Sequence, residues 1–232
     1  DKLLSEARID TLTNKLAKQE PIPDFPYTLP NYARHFLERM MREGLAGQSI
    51  RSAIDISLQQ SVDDILSSHH QKLSANQIGN GAALVLDVKT GAVLAYAGNI
   101  RGKHIHENQV DIIRSPRSTG SILKPFLYAA MLDQGEILPA TLLPDVPVLI
   151  NGFSPRNFSH AYDGAVAADE ALIRSLNVPA VHLLRKYRYE KFHSLLRELG
   201  MSTLTRSPDH YGLSLILGGA EGTLWDITGM YA

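Results

Sequence analysis

The sequence contains no cysteine. That excludes disulfides, Cys-ligated zinc and thiol catalysis, and it leaves the compartment open. An excess of either charge is also missing: 23 Lys and Arg stand against 24 Asp and Glu, a net charge of −1. No global basic field exists to hold nucleic acid or an anionic membrane. Long apolar runs are lacking too. Stretches such as 82–86 and 92–97 fall far short of the roughly 18 residues of a membrane-spanning helix. Internal repeats and low-complexity tracts are absent. What is there is globular in composition. Hydrophobic residues make up 44% and charged residues 20% of 232 positions, which suits one ordinary domain with an appendage, or two small ones.

The pattern along the chain separates an arm from a body. Leu3, Leu4, Ala7, Ile9, Leu12 and Leu16 recur at helical spacing, so 1–19 reads as an amphipathic helix. Four prolines between Pro21 and Pro30 then favour an extended connector. Asn31 can cap a short helix that ends at Gly44. Residues 1–48 are therefore expected to form a helical and Pro-rich interdomain arm. Residues 49–55 alternate as a β-strand would. Asp55 or Ser57 can cap a helix reaching about Leu73. Residues 81–88 and 92–97 form the clearest hairpin, two apolar strands around Lys89-Thr90-Gly91. Helical patterns follow at 118–134, at 169–187 with an interruption at Pro179, and at 189–199. Between the first two lies a Pro/Gly-rich stretch, 136–165, read as a long loop. Leu224, Ile227 and Tyr231 keep helical spacing to the last residue, and no Met opens the chain. Both ends are expected to be cuts through a longer protein.

One constellation carries chemistry. Ser121 and Lys124 are three apart at the start of an apolar helix, which puts them on one face with Cβ atoms about 5–6 Å apart. Pro125 is tolerated only near a helix start, so the first turn must lie close to Ser121. There the helix dipole favours a developing oxyanion. Apolar neighbours should lower the Lys124 pKa and supply the neutral amine that a general base needs. Alone, Ser-x-x-Lys is a weak signal, because most matches are solvated helix ends. Ser175-Leu176-Asn177 downstream adds to it. The two elements, in this order and in an α/β pattern, are two of the three of a serine acyl-transferase signature.

The stretch Arg117-Ser118-Thr119-Gly120-Ser121-Ile122-Leu123-Lys124-Pro125-Phe126-Leu127-Tyr128 closely resembles the nucleophile region of class A, bifunctional penicillin-binding proteins. Phe153-Ser154-Pro155-Arg156-Asn157-Phe158, Tyr162-Asp163-Gly164-Ala165-Val166 and the run from Ala171 to Val181 continue the likeness, as do 54–59 and 87–95 upstream. The wording is most similar to the 1C type. The resemblance covers about 50–232, and 1–48 resembles only loosely the arm that follows a glycosyltransferase domain. It implies an α/β fold of the serine penicillin-binding and β-lactamase-like kind, an antiparallel sheet between helical layers, with 49–232 its N-terminal and central part and the C-terminal strands missing. It implies that Ser121 attacks the D-Ala-D-Ala carbonyl of a peptidoglycan stem peptide and forms an acyl-enzyme. Lys124 would take the serine proton. Ser175 and Asn177 would line the opposite wall, relaying a proton and binding the peptide, with Gly120 also at the substrate. Partners would be stem peptides on lipid-linked glycan strands, and β-lactams as covalent inhibitors. Neither cofactor nor metal nor nucleic acid is implied. The location would be the periplasmic face of the bacterial inner membrane, reached through an anchor outside this chain.

The family's third element, a Lys-Thr-Gly strand after the second, does not follow Asn177 in this sequence. Lys89-Thr90-Gly91 stands upstream of Ser121, in a hairpin turn, and is read as turn chemistry. The true element is expected beyond Ala232, with one donor of the oxyanion hole. A non-catalytic penicillin-binding or assembly fragment is therefore the rival reading. A serine β-lactamase ranks last: Glu170 lies near Ser175, but the surrounding class A pattern is absent. The remaining candidates have plainer readings. In the run His104-Ile105-His106-Glu107, His104 and His106 would face one side of an extended segment, but no third ligand is evident, and the run reads as a polar loop. His69 and His70 read as solvated, and His182 as a packed core residue. Gly218-Gly219 reads as close backbone packing rather than a phosphate loop. Arg114, Arg117 and Arg156 either meet a substrate carboxylate or lie on a solvated surface.

Overall fold

The computed structural model describes residues 31–101 and 107–232. The arm helix and proline connector expected over 1–30, and His104 with His106, lie outside them. Helix α1, Arg34–Met40, runs on into a wider turn, Met41–Leu45, which leaves helical geometry at Gly44 with φ 89°. Ala33 occupies its cap position and no side chain caps it, so Asn31 does not play the expected part.

No strand forms over 49–55. This segment is mostly exposed, and it touches the body through one backbone bond, Asp55 N–H to Leu94 O at 3.0 Å. Asp55 does cap helix α2, Ile56–Leu73, with Oδ1 accepting the Leu58 N–H at 2.8 Å. The hairpin stands as expected: β1, Ala83–Leu86, and β2, Val93–Ala97, pair antiparallel with an irregularity at Val85/Leu86. Its turn is built on Asp87, whose Oδ1 accepts from Lys89 N–H, Thr90 N–H and Thr90 Oγ1. Gly91 closes it at φ 69°. The outer edge of β2 is not left bare. The buried Gln59 of α2 accepts the Tyr96 N–H through Oε1 at 2.7 Å, beside the Asp55–Leu94 bond. That covers an edge which would otherwise seek another strand.

Two further antiparallel pairs form. β3, Arg117–Ser118, pairs with β6, Glu221–Gly222. β4, Leu142–Asp145, pairs with β5, Gly164–Ala167. The second pair corrects the reading of 136–165 as loop. Short strands carrying Pro144 and Gly164 give too little alternation to be seen in sequence. Among the described residues each sheet has two strands.

The helices after residue 123 surround one core. α3, Lys124–Asp133, contributes Leu127, Tyr128 and Met131; α5, Asn177–Tyr187, contributes Val181 and Leu184; α6, Tyr189–Glu198, contributes Phe192 and Leu196. Leu215 and Ile216, in the tight turn Gly212–Leu217, complete it after the short α7, Pro208–Tyr211. α4, Ala168–Ile173, is separated from α5 by three residues. The break therefore falls at Arg174-Ser175-Leu176 and not at Pro179. Pro179 sits in the first turn of α5, where its missing N–H has no partner to lose. The chain closes with α8, Leu224–Tyr231, capped by Thr223 Oγ1 accepting the Asp226 N–H. No described helix is long and apolar enough to cross a membrane.

Candidate active site

Ser121 lies in the turn that feeds α3. Ile122 N–H donates to Thr119 O at 3.0 Å and Lys124 N–H to Ser121 O at 3.1 Å. The Ser121 side chain is exposed, and Pro125 occupies the first helical turn. The turn is fastened from a distant part of the chain. Thr119 N–H donates to Ala220 O at 3.1 Å, Ser118 Oγ to Gly218 O at 2.9 Å, and the Tyr231 hydroxyl to Ile122 O at 2.7 Å. Gly218 has φ 94°, and a Cβ there would stand 2.8 Å from Gly120 N and 2.9 Å from Gly120 Cα. Both the dihedral and the approach demand glycine. The close-packing reading of Gly218-Gly219 holds: Gly218 packs against the turn carrying Gly120 and Ser121, and Gly219 packs against Ser214.

Lys124 points inward and is 1% exposed. Its Nζ donates to Ser175 O at 2.7 Å, to Asn177 Oδ1 at 2.8 Å and to Ser175 Oγ at 3.2 Å. All three acceptors are neutral. Burial pushes the amine down to about 8 from its ordinary 10.5, because a charge is costly away from water. An amine so placed can take up and release a proton near neutral pH. Among the described residues no hydrogen bond joins it to Ser121 Oγ; its partners are Ser175, on the α4–α5 break, and Asn177, at the start of α5.

That break has a recognisable geometry. Ser175 N–H bonds Leu172 O and Leu176 N–H bonds Ala171 O, both at 2.9 Å, the paired bonds of a Schellman turn. The same pair closes α3 at Gly135 and α6 at Gly200. The pivotal residue has positive φ in each: 68° at Gly135, 104° at Gly200 and 54° at Ser175. Two of the three turns use glycine, which takes this conformation freely. The third uses serine, which a left-handed backbone disfavours by about 1–2 kcal/mol. Its hydroxyl and carbonyl both meet the Lys124 amine.

Sequence reading placed Lys124, Ser175 and Asn177 at one site, and the structure brings their side chains together, with Gly120 and Ser121 on the adjoining turn. The arginines do not converge there. Arg114 lies over the Trp225 ring at 5.1 Å, Arg117 bonds Pro116 O, and Arg156 contributes its carbonyl, which accepts from Asn177 Nδ2 at 2.8 Å. His182 is only partly buried, and its Nε2 is enclosed without a partner. Glu170 is exposed, 3.8 Å from Arg174. Among the described residues no group of His, Asp and Glu is arranged to hold a metal ion. Two residues with polar contacts at the site were given no part in it by sequence reading, Asn157 and Asp145. They stand 20 and 32 positions before Asn177, and no helical or strand period links them to it.

Comparison with known proteins places these features. The family model of the penicillin binding protein transpeptidase domain matches residues 81–225. Penicillin-binding protein 1C of Escherichia coli (strain K12) is 34% identical over 218 residues, covering 94% of this chain and 28% of that protein. Penicillin-binding protein 1F of Bacillus subtilis (strain 168) is 30% identical over 176 residues, covering 75% and 24%. The chain thus spans about a quarter of the length of these curated relatives. The solved structure of the penicillin-binding protein PonA1 from Mycobacterium tuberculosis superposes with a TM-score of 0.68 at 22% identity, over 85% of this chain and 55% of that one. PonA1 in complex with penicillin V gives 0.57 at 20% identity, over 84% and 54%. These two show likeness of fold.

Proposed function

Because the chain belongs to the penicillin-binding protein transpeptidase family, we propose that it carries the serine and lysine part of a peptidoglycan DD-transpeptidase site. In this reading Ser121 attacks the carbonyl of a D-Ala-D-Ala stem peptide. The C–N bond of the terminal D-Ala breaks, and an ester to Ser121 Oγ forms. Lys124 in its neutral form takes the hydroxyl proton, and Ser175 passes a proton to the leaving amine. An amine of the acceptor stem peptide then displaces Ser121. Asn177 holds Lys124 and binds the peptide, and Gly120 borders it. A β-lactam acylates the same serine through its strained amide. The role belongs at the periplasmic face of a bacterial inner membrane, in a bifunctional synthase.

The observation that carries this reading is the buried Lys124 amine, held by Ser175 and Asn177. A stability-driven sequence has little reason to bury a lysine, and still less to set a serine at φ 54° beside it. The rival reading, a penicillin-binding fragment without turnover, rests on the lack of a Lys-Thr-Gly after Asn177, the sequence carrying one only upstream, at Lys89-Thr90-Gly91. These residues form the exposed hairpin turn, so they do not complete the site.

The test is intact-mass spectrometry after incubation with a penicillin, on this chain and on a protein of the relatives' full length that contains it. One adduct per chain in the longer protein supports the proposal, and no adduct there overturns it. The 232-residue chain is expected to label weakly, since losing an oxyanion donor typically costs on the order of 10²–10³ in rate. Rapid one-to-one labelling of the short chain would mean that its site is complete without a Lys-Thr-Gly strand.

A further inference from the structure

Helix α5 begins at Asn177 without a polar residue to cap it, for Leu176 stands at the cap position. Its first N–H groups need acceptors, and one side chain on another segment supplies them. Asn157 Oδ1 accepts from Asn177 N–H at 2.9 Å and from Val178 N–H at 3.2 Å. Asn157 Nδ2 donates to Asp145 Oδ1 at 2.7 Å and to Ala161 O at 3.0 Å. Asp145, at the end of β4, accepts the Asp163 N–H through Oδ2 at 3.0 Å. Asn157 is 2% exposed and Asp145 fully buried. Every donor and acceptor of the Asn157 amide is used, and its orientation is fixed by its neighbours: two acceptors face the nitrogen and two donors face the oxygen.

The same loop grips Asn177 a second time, at its side chain, where Arg156 O accepts from Nδ2. That leaves Oδ1 turned to the Lys124 amine. The backbone and the amide of Asn177 are thus both set by 156–157, and 157 is set by Asp145. Only an amide satisfies all four partners at position 157. A carboxylate would put two acceptors face to face with Asp145. An apolar residue would strand two N–H groups and a buried carboxylate.

We propose that Asn157 and Asp145 are positioning residues for the candidate site: they cap α5 from outside and aim the Asn177 carbonyl at the Lys124 amine. The geometric part stands by itself, and its consequence for acylation rests on the acyl-transfer reading above.

Three measurements test it, the first two on the 232-residue chain. Asn157→Ala should lower hydrogen-exchange protection of the Asn177 and Val178 amides by about tenfold or more. It should also raise the NMR titration midpoint of the Lys124 side chain by about half a unit or more, as water reaches the amine. A merely structural role would lower the melting temperature and leave that midpoint in place, and an unchanged midpoint in folded protein overturns the proposal. The exchange Asp145→Asn with Asn157→Asp guards against a variant that does not fold. It swaps donor and acceptor across the 2.7 Å contact, so it should recover part of the amide protection that Asn157→Asp alone removes, with Ala161 O still lacking its donor. A double variant no better protected than the single one overturns the proposal. In a full-length protein, Asn157→Ala should slow penicillin acylation roughly tenfold or more in its folded fraction. If the parent does not label at all, the acyl-transfer reading falls, while exchange and titration still judge the positioning.

Discussion

The amine of Lys124 donates to the side-chain carbonyl of Asn177 at 2.8 Å, across a sequence separation of 53 residues. This bond ties the first turn of α3 to the first turn of α5. It makes the interior of the site depend on the break between α4 and α5, and on the loop that caps α5.

The Lys124 amine at about 8 sets a pH dependence. At pH 7 about one amine in ten is neutral, against roughly one in 3,000 for an ordinary lysine. Acylation in a full-length protein should therefore rise with pH through a midpoint near 8 and level off above it. The measurement is the second-order rate constant for penicillin acylation from pH 6 to 10. A flat profile over that range would remove Lys124 from the base role.

Ser175→Gly separates stability from chemistry. Glycine takes φ 54° without strain, so the variant should be as stable as the parent or more so, by up to about 1 kcal/mol. The Lys124 amine loses a hydroxyl partner, and acylation should fall by roughly 10² or more. Thermal melting and acylation kinetics on the same variant check both halves.

Gly218→Ala should act at a distance of about a hundred positions in sequence. A methyl at φ 94° and 2.8 Å from Gly120 N must displace the turn that carries Ser121. We expect a loss of about 1–3 kcal/mol in stability and slower acylation, with the Lys124 titration midpoint unchanged because Lys124 makes its contacts elsewhere. Melting, labelling and NMR titration read the three effects.

Sequence pattern revealed what is local. The Asp55 cap, the Asp87–Gly91 turn and the α3 start at Pro125 each depend on neighbours within four residues, so their chemistry was readable. The burial of Lys124 was readable, because apolar residues surround it in the chain. Five features were not. The strand expected over 49–55 failed because alternation alone cannot tell an extended, exposed segment from a paired one. The β4–β5 pair was hidden by proline and glycine. Ser175 in a left-handed turn was hidden because that conformation is ordinarily signalled by glycine. Asn157 was visible as part of a family likeness, yet its work, capping a helix that begins 20 residues later, has no local trace. The helix break was assigned to Pro179 because proline is the usual breaker, although the first turn of a helix accommodates it.

The most direct measurement is the position of the penicillin adduct. In a full-length protein containing this sequence, peptide mapping after penicillin treatment should place a single adduct on the peptide containing Ser121. Ser121→Ala should abolish it, and Lys124→Ala should keep the fold but slow labelling by roughly 10²–10⁴. Undiminished labelling of Ser121→Ala, or an adduct mapped to any other residue, would contradict the assignment of this site.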